Sequence, residues 1–352
     1  MGKKPDLSEV SCPIPIHNQS QVLLGHGSGG KLSADLIREV FLPAFKNPLL
    51  EKLNDSATLQ LNDCKLAFTT DSFVVDPVFF PGGDIGSLAI HGTVNDLAVG
   101  GARPLYISAA FILEEGFSIE DLKRIVASMQ RACEASGVAL VTGDTKVVDK
   151  GKGDSIFITT SGIGVVENNH NISVDGARAG DKIILSGAIG NHGIAILSVR
   201  EGIDFETELK SDSASLVAPI REILEVSANI HCLRDPTRGG LASTLNEIAQ
   251  ASKVGVELKE TSVPVCDQVR GACELLGLDP LYVANEGKFV AVVAPQDTDN
   301  VLRRLRKNPL GGEAAVIGEV VVEHPEMVLM RSPIGGKRVV QMLAGEQLQR
   351  IC

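Results

Sequence analysis

Four segments in the first half of the chain are dense in β-branched and apolar residues and bounded by turn signals: residues 65–70 (KLAFTT), 105–113 (LYISAAFIL), 138–148 (VALVTGDTKVV) and 155–165 (SIFITTSGIGV). Each is predicted to be a strand. Between the second and third, Ser118 opens a helical pattern. Asp121 follows three residues later, Ile119, Leu122, Ile125, Val126, Met129, Ala132 and Cys133 recur at helical spacing, and Gly137 closes the run. Strands interleaved with a capped amphipathic helix restrict this half to a mixed sheet-and-helix lobe. Around residues 166–182 the chain turns polar and glycine-containing (VENNHNISVDGARAGDK), and the strand-like KIILSG follows, so a domain boundary is expected there.

The second half mixes the two periodicities again, with helices predicted near 212–229 and 238–252 and strands near 254–258, 281–293 and 314–331. A chain of 352 residues is long enough for two domains with sizeable cores. The expected organisation is α+β in two lobes, residues 1–170 and 171–340, followed by a flexible tail, 341–352, that shows no periodicity after Leu343.

Composition narrows the function. A net charge of −11, no tryptophan and 4% aromatic residues argue against nucleic-acid partners, which call for basic surfaces and base-stacking rings. No apolar stretch reaches bilayer-spanning length, and the N-terminal MGKKPDLSEV lacks the apolar core of a signal peptide, so a cytoplasmic location is expected. The seven cysteines are odd in number, scattered and never spaced as CxxC, which indicates neither a disulfide framework nor a zinc site. An acidic enzyme that holds a nucleotide through divalent cations fits this composition better.

Residues 25–30 read GHGSGG and precede Lys31 and a helical pattern carrying Leu32, Leu36 and Val40. Glycines ahead of a helix let backbone N–H groups approach an anion; a plain flexible loop is the competing reading. Asp55, Asp71, Asp96 and Asp144 stand at strand ends, in turns or, for Asp96, beside Asn95 in an otherwise apolar helical stretch. Hard cations such as Mg²⁺ take oxygen ligands converging from separate segments, whereas each aspartate alone could be a turn or helix cap. Lys146, two residues beyond Asp144, would share its face of a strand and could neutralise a phosphoryl group or simply pair with the carboxylate. RDPTRGGL sets Asp235, Thr237 and Arg238 before a helix, and VANEGK places Glu286 in a turn, either solvated or a general base. Cys352 is the last residue of the sequence, and its thiol is expected to be accessible.

Taken together, GHGSGGK, TTDSFVVDPVFFPGGDIG, GTVNDLAVGGA, FILEEG, VTGDTKVV, RDPTRGGL, ANEGK and the closing RIC resemble, along essentially the whole chain, the HypE family of hydrogenase-maturation proteins, within the aminoimidazole ribonucleotide synthetase superfamily. The resemblance implies a two-domain fold of that superfamily, with an N-terminal domain that dimerises through its sheet, a C-terminal α/β sandwich domain and a mobile C-terminal tail. It implies ATP-dependent dehydration of a carbamoyl group on Cys352 to a thiocyanate, supplying cyanide for the iron of a [NiFe] hydrogenase. HypF would be the carbamoyl donor and the HypC–HypD complex the acceptor. By the same resemblance Asp55, Asp71, Asp96 and Asp144 would hold Mg²⁺–ATP, and Gly27, Ser28, Gly29, Gly30, Lys31, Thr70, Asn95 and Asp235 would line the nucleotide site. Lys146 would stabilise charge and Glu286 would move a proton. The family tail commonly reads Pro-Arg-Ile-Cys, whereas Gln349 stands at the proline position here. A phosphotransferase acting on a diffusible small molecule, or a non-catalytic thiol carrier, are the competing readings.

Overall fold

The computed structural model describes residues 21–167, 170–203, 209–345, 348 and 350–352. Gln349 and Cys12 lie outside these residues. The chain enters through a 3-10 turn, Leu24–Gly27, and a helix α1 (Lys31–Leu36) that continues through a π-helical turn, Ile37–Phe41, into α2 (Leu42–Phe45).

A five-stranded sheet follows. Strands β1 (Ala57–Leu61) and β2 (Cys64–Phe73) form a hairpin, the short pair β3 (Phe79–Phe80) and β4 (Gly83–Asp84) leads into α3 (Ile85–Val99), and β5 (Arg103–Glu114), α4 (Ile119–Ser136), β6 (Ala139–Val148) and β7 (Ile156–Val165) complete the lobe. The order is β1-β2-β7-β5-β6. Only β5 and β6 run parallel, because α4 provides the crossover such a pair requires. All four predicted strands fall on β2, β5, β6 and β7. Helix α4 is capped as its sequence indicates: the Ser118 hydroxyl accepts the Asp121 N–H, and Gly137 takes the left-handed conformation at φ 69°. The Asp84 carboxylate accepts the Gly86 and Ser87 N–H groups to start α3, which is buried almost all round between this sheet and the second lobe.

The second lobe contains β8 (Lys182–Leu185), α5 (Asn191–Glu201), α6 (Val217–Leu224), β9 (Ile230–Arg234), α7 (Gly240–Ser252), β10 (Gly255–Lys259), α8 (Asp267–Leu276), β11 (Val290–Val293), α9 (Thr298–Leu305), β12 (Ala315–Val321), β13 (Val328–Arg331) and β14 (Lys337–Val340). Its sheet order is β14-β13-β10-β12-β8-β11-β9. Strand alternation sends Ile183, Leu185, Val290 and Val292 to one face, where Leu241, Leu245 and Ile248 of α7 cover them. Ile184, Ala291 and Val293 go to the other, under α6 and α9. Three expectations need correction, the first being the strand predicted over 314–331, which is two, β12 and β13, separated by a turn. The helix predicted over 212–229 is only Val217–Leu224, because residues 209–216 form an extended strap between the lobes whose polar groups bond outward. The strand predicted over 281–293 is only Val290–Val293; the preceding residues make a 3-10 turn, Pro280–Tyr282, and an irregular loop. Among the described residues no helix is long and apolar enough to cross a membrane.

Candidate active site

A cavity of about 210 Å³ opens between the lobes, lined by Asp55, Asp71, Asp96, Asp235, Glu286 and Cys352 together with Gly29, Arg234 and Arg238. They converge from separate segments of the fold. Asp55 precedes β1, Asp71 sits near the end of β2, and Asp96 is on the last turn of α3. Arg234 ends β9, Asp235 and Arg238 form the turn into α7, and Glu286 lies in the loop before β11. Glycines permit the close packing: Gly29, at φ 71°, lies so near the Arg238 backbone that an added Cβ would stand 2.5 Å from its carbonyl oxygen.

Carboxylate oxygens of Asp55, Asp96 and Asp235 lie within 4.8 Å of one another, a donor set suited to a hard divalent cation. Thr69 Oγ1 stands 2.8 Å from Asp96 Oδ2 and 2.9 Å from the Asp55 carbonyl, tying β2 to both. Burial raises Asp55 to about 8, against the pull of Arg234, and raises Asp71 and Asp235 to about 6. Burial and the neighbouring carboxylates push Asp96 and Glu286 well above the usual carboxylate range. So many acids crowded together hold protons or a cation; the oxygen-only donor set fits Mg²⁺. Arg234 compensates part of the charge, its Nε 2.9 Å from Asp55 Oδ2 and its Nη2 2.7 Å from Glu247.

The end of the chain is folded into this site. Ile351 bridges Val75 in antiparallel fashion and is 3% exposed. The Asp76 N–H donates to the Arg350 carbonyl at 3.0 Å, and Val74 N–H to that of Cys352 at 3.3 Å. The Cys352 thiol lies between Glu286 and Arg238; burial, then the Glu286 charge, pushes it far above the ordinary thiol value, while Arg238 opposes them. Glu286 Oε1 is buried with no hydrogen-bond partner among the described residues.

The other expected residues fall elsewhere. Asp144 and Lys146 are not in this cavity: they lie on the exposed edge strand β6 and pair with each other at 2.6 Å, which lowers the Asp144 pKa. Thr70 points to the opposite face of β2 from Asp71, where its hydroxyl donates to the Thr160 carbonyl. Asn95 is buried and fully used in bracing the strap, accepting from Leu216 N–H and donating to the Ala214 carbonyl. The glycine loop touches the cavity at Gly29, while the Gly27 carbonyl accepts from Arg238 and the Lys31 N–H from this loop donates to Leu343. Gly30 packs on Leu343, the Ser28 hydroxyl bonds Gly25 and Gly345, and the Lys31 ammonium pairs with Asp35. Sequence reasoning gave no role to Arg234, although it is the first residue of the RDPTRGGL string, and passed over Glu247, which no periodic or motif signal marks.

Residues 53–166 match the family described as AIR synthase related protein, N-terminal domain, and residues 178–329 its C-terminal domain. The two lobes and the cleft between them therefore define a member of the AIR synthase-related enzymes. Within that class, carbamoyl dehydratase HypE of Cupriavidus necator is 56% identical over 340 residues, 96% of this chain and 97% of that protein. A crystal structure of hydrogenase maturation protein HypE in complex with ATP superposes with a TM-score of 0.79 at 50% identity, covering 94% of this chain and all of that one. A HypE–HypF complex superposes with a TM-score of 0.84 at 46% identity, covering 88% of this chain and 99% of that chain. The chain belongs to the HypE family of carbamoyl dehydratases.

Proposed function

We infer that this chain performs ATP-dependent dehydration of a carbamoyl group carried on Cys352, converting the S-carboxamide to a thiocyanate that supplies cyanide for the iron of a [NiFe] hydrogenase. The observation that carries this reading is the seating of Cys352 in the carboxylate cavity, beside Glu286 and Arg238. Amide oxygen is a poor leaving group. Transfer of the terminal phosphoryl group of ATP to that oxygen makes it one; the C–O bond then breaks, phosphate departs, and the two N–H protons are lost to leave the C≡N triple bond. Glu286, with an unpartnered buried oxygen, is placed to take a proton from that nitrogen. Arg238 supplies a fixed positive charge next to the reacting group.

Asp55, Asp71, Asp96 and Asp235 would hold Mg²⁺, which when bound neutralises phosphate charge. Gly29 and the N-terminal end of α7 line the cavity where a nucleotide would sit. Asn95 and Thr70 contribute by bracing the framework. Asp144 and Lys146, outside this cavity, would act on a nucleotide bound by a second copy of the chain. That copy is expected across the first sheet, where Leu140, Val141 and Val147 of β6 lie 46%, 59% and 66% exposed and need cover.

While docked, the thiol lies within the cleft with its pKa raised, so HypF would charge it with the tail released into solvent, and HypC–HypD would collect cyanide in the same released state. Residues 341–352 accordingly act as a swinging arm beyond domains at 1–170 and 171–340, in a cytoplasmic setting. The test compares phosphate release by the chain with Cys352 carbamoylated and with Cys352 free. Release that follows the carbamoylated fraction supports the reading, and equal release from both sets it aside.

A further inference from the structure

His192 lies at the start of α5, is 0% exposed, and uses both ring nitrogens. Its Nε2 is 2.6 Å from the Ile351 carbonyl oxygen and its Nδ1 is 2.7 Å from Ser211 Oγ. A carbonyl offers no proton, so Nε2 carries the hydrogen and Nδ1 accepts from the Ser211 hydroxyl. That hydroxyl in turn accepts the Ser213 N–H at 3.0 Å. The direction of the whole chain is thus fixed: backbone of the strap, Ser211, imidazole, tail carbonyl. The imidazole and the Phe80 ring pack perpendicular to each other, 5.6 Å between centroids.

The same strap reaches Glu286. Asp212 Oδ1 accepts the Glu286 N–H at 3.1 Å, and Asp212 pairs with Lys288 at 3.2 Å. Ser213 Oγ bonds His91 of α3 at 3.1 Å. Three consecutive residues therefore set the ring that grips the tail, the backbone of the proposed base, and the helix carrying Asp96. The other side-chain contacts on the tail differ in kind. Arg200 Nη2 donates to the Arg350 carbonyl at 2.8 Å, one residue further from the sulfur, and the Arg350 side chain pairs with Asp154 and Asp76 at the 43% exposed rim. Among the described residues, His192 is the side chain that bonds the peptide unit joining Ile351 to Cys352.

We propose that His192 is a positioning residue for the dehydration step: through the Ile351 carbonyl, with its tautomer set by Ser211, it fixes where the Cys352-bound group sits relative to Glu286. Leaving the docked site would strand the buried Nε2–H without an acceptor, so the imidazole also favours the docked tail over the released one. This rests on the reading of Cys352 as the carrier of the reacting group.

The test uses the full chain, carbamoylated on Cys352, in single-turnover ATP reactions followed by mass spectrometry, alongside the rate at which free Cys352 is alkylated by iodoacetamide. His192→Leu is expected to slow dehydration about ten- to hundredfold and to speed alkylation, with ATP affinity unchanged. His192→Gln, which can again donate to the carbonyl, recovers part of both. Ser211→Ala shifts both in the same direction by less, and decides the matter should His192→Leu fail to fold. Wild-type rates in His192→Leu, or in Ser211→Ala where the leucine variant does not fold, overturn the proposal. So does an equal loss in the leucine and glutamine variants together with weakened ATP binding, which marks a purely structural histidine. Should the wild-type adduct lose no water with ATP, the dehydration reading itself fails, while the alkylation rates still report whether His192 holds the tail.

Discussion

Arg234 Nε stands 2.9 Å from Asp55 Oδ2, an ion pair between the second lobe and the first whose side chains are 13% and 14% exposed. It places a fixed positive charge beside carboxylates that burial alone would drive neutral, and its second arm holds Glu247. Arg234→Met leaves both acids without their partner, and removing one member of a buried pair costs about 3 to 5 kcal/mol. Thermal melting in chelator should drop by several degrees and recover in part with Mg²⁺; an unchanged melting temperature would remove the pair from the stability of the cleft.

The acid cluster ties stability to pH with a definite sign. Asp55 is raised to about 8 and Asp71 and Asp235 to about 6, so between the unfolded value of 3.8 and these values the folded state binds more protons than the unfolded one. Stability of the metal-free protein therefore falls as pH rises from about 4 to 8. A divalent cation competes with those protons, and its stabilising effect should grow over the same range. Melting curves in chelator and in Mg²⁺ at pH 5.5 and 8 measure this, and Asp55→Asn should flatten the chelator series. A Mg²⁺ effect independent of pH would contradict the assignment.

Glu286→Gln keeps the shape of the loop and removes the capacity to take a proton. Nucleotide affinity should hold while single-turnover thiocyanate formation falls about a hundredfold or more. Because burial raises the wild-type carboxyl, the acid limb of the wild-type pH–rate profile should lie above the usual glutamate range and vanish in the variant. Unaltered turnover would eliminate Glu286 as the base.

Ile351 is 3% exposed and packs in the core around Phe73, Val75 and Ile196. Ile351→Ala removes buried methylenes worth about 2 to 4 kcal/mol from the docked state alone. Alkylation of Cys352 should accelerate at least tenfold without loss of global stability. Lowered stability with no change in alkylation would place the tail within the fold rather than as a separable arm.

The first lobe was legible because its strands carry dense β-branched runs and α4 has both caps written in the sequence. The strap at 209–216 was not: its polar groups bond outward to Asn95, His91, His192, Glu286 and Lys288 rather than along a helix, partners that exist only once the lobes are packed. Asp55, Asp71, Asp96 and Asp235 converge because they share a place at strand or helix ends, a positional signal visible in one dimension. Arg234 and Glu247 act as partners of those acids, a relationship that exists only once β9 and α7 are packed. Asp144 and Lys146 read from the sequence like their neighbours, yet β6 is an edge strand and carries them away from the cleft.

The most direct measurement is mass spectrometry of the peptide carrying Cys352 after the chain has been charged by the carbamoyl donor, before and after addition of Mg²⁺ and ATP. The account predicts a carbamoyl adduct on Cys352 that loses one water only when ATP is present. An adduct that persists unchanged with ATP, or that forms and dehydrates on a different residue, would contradict it.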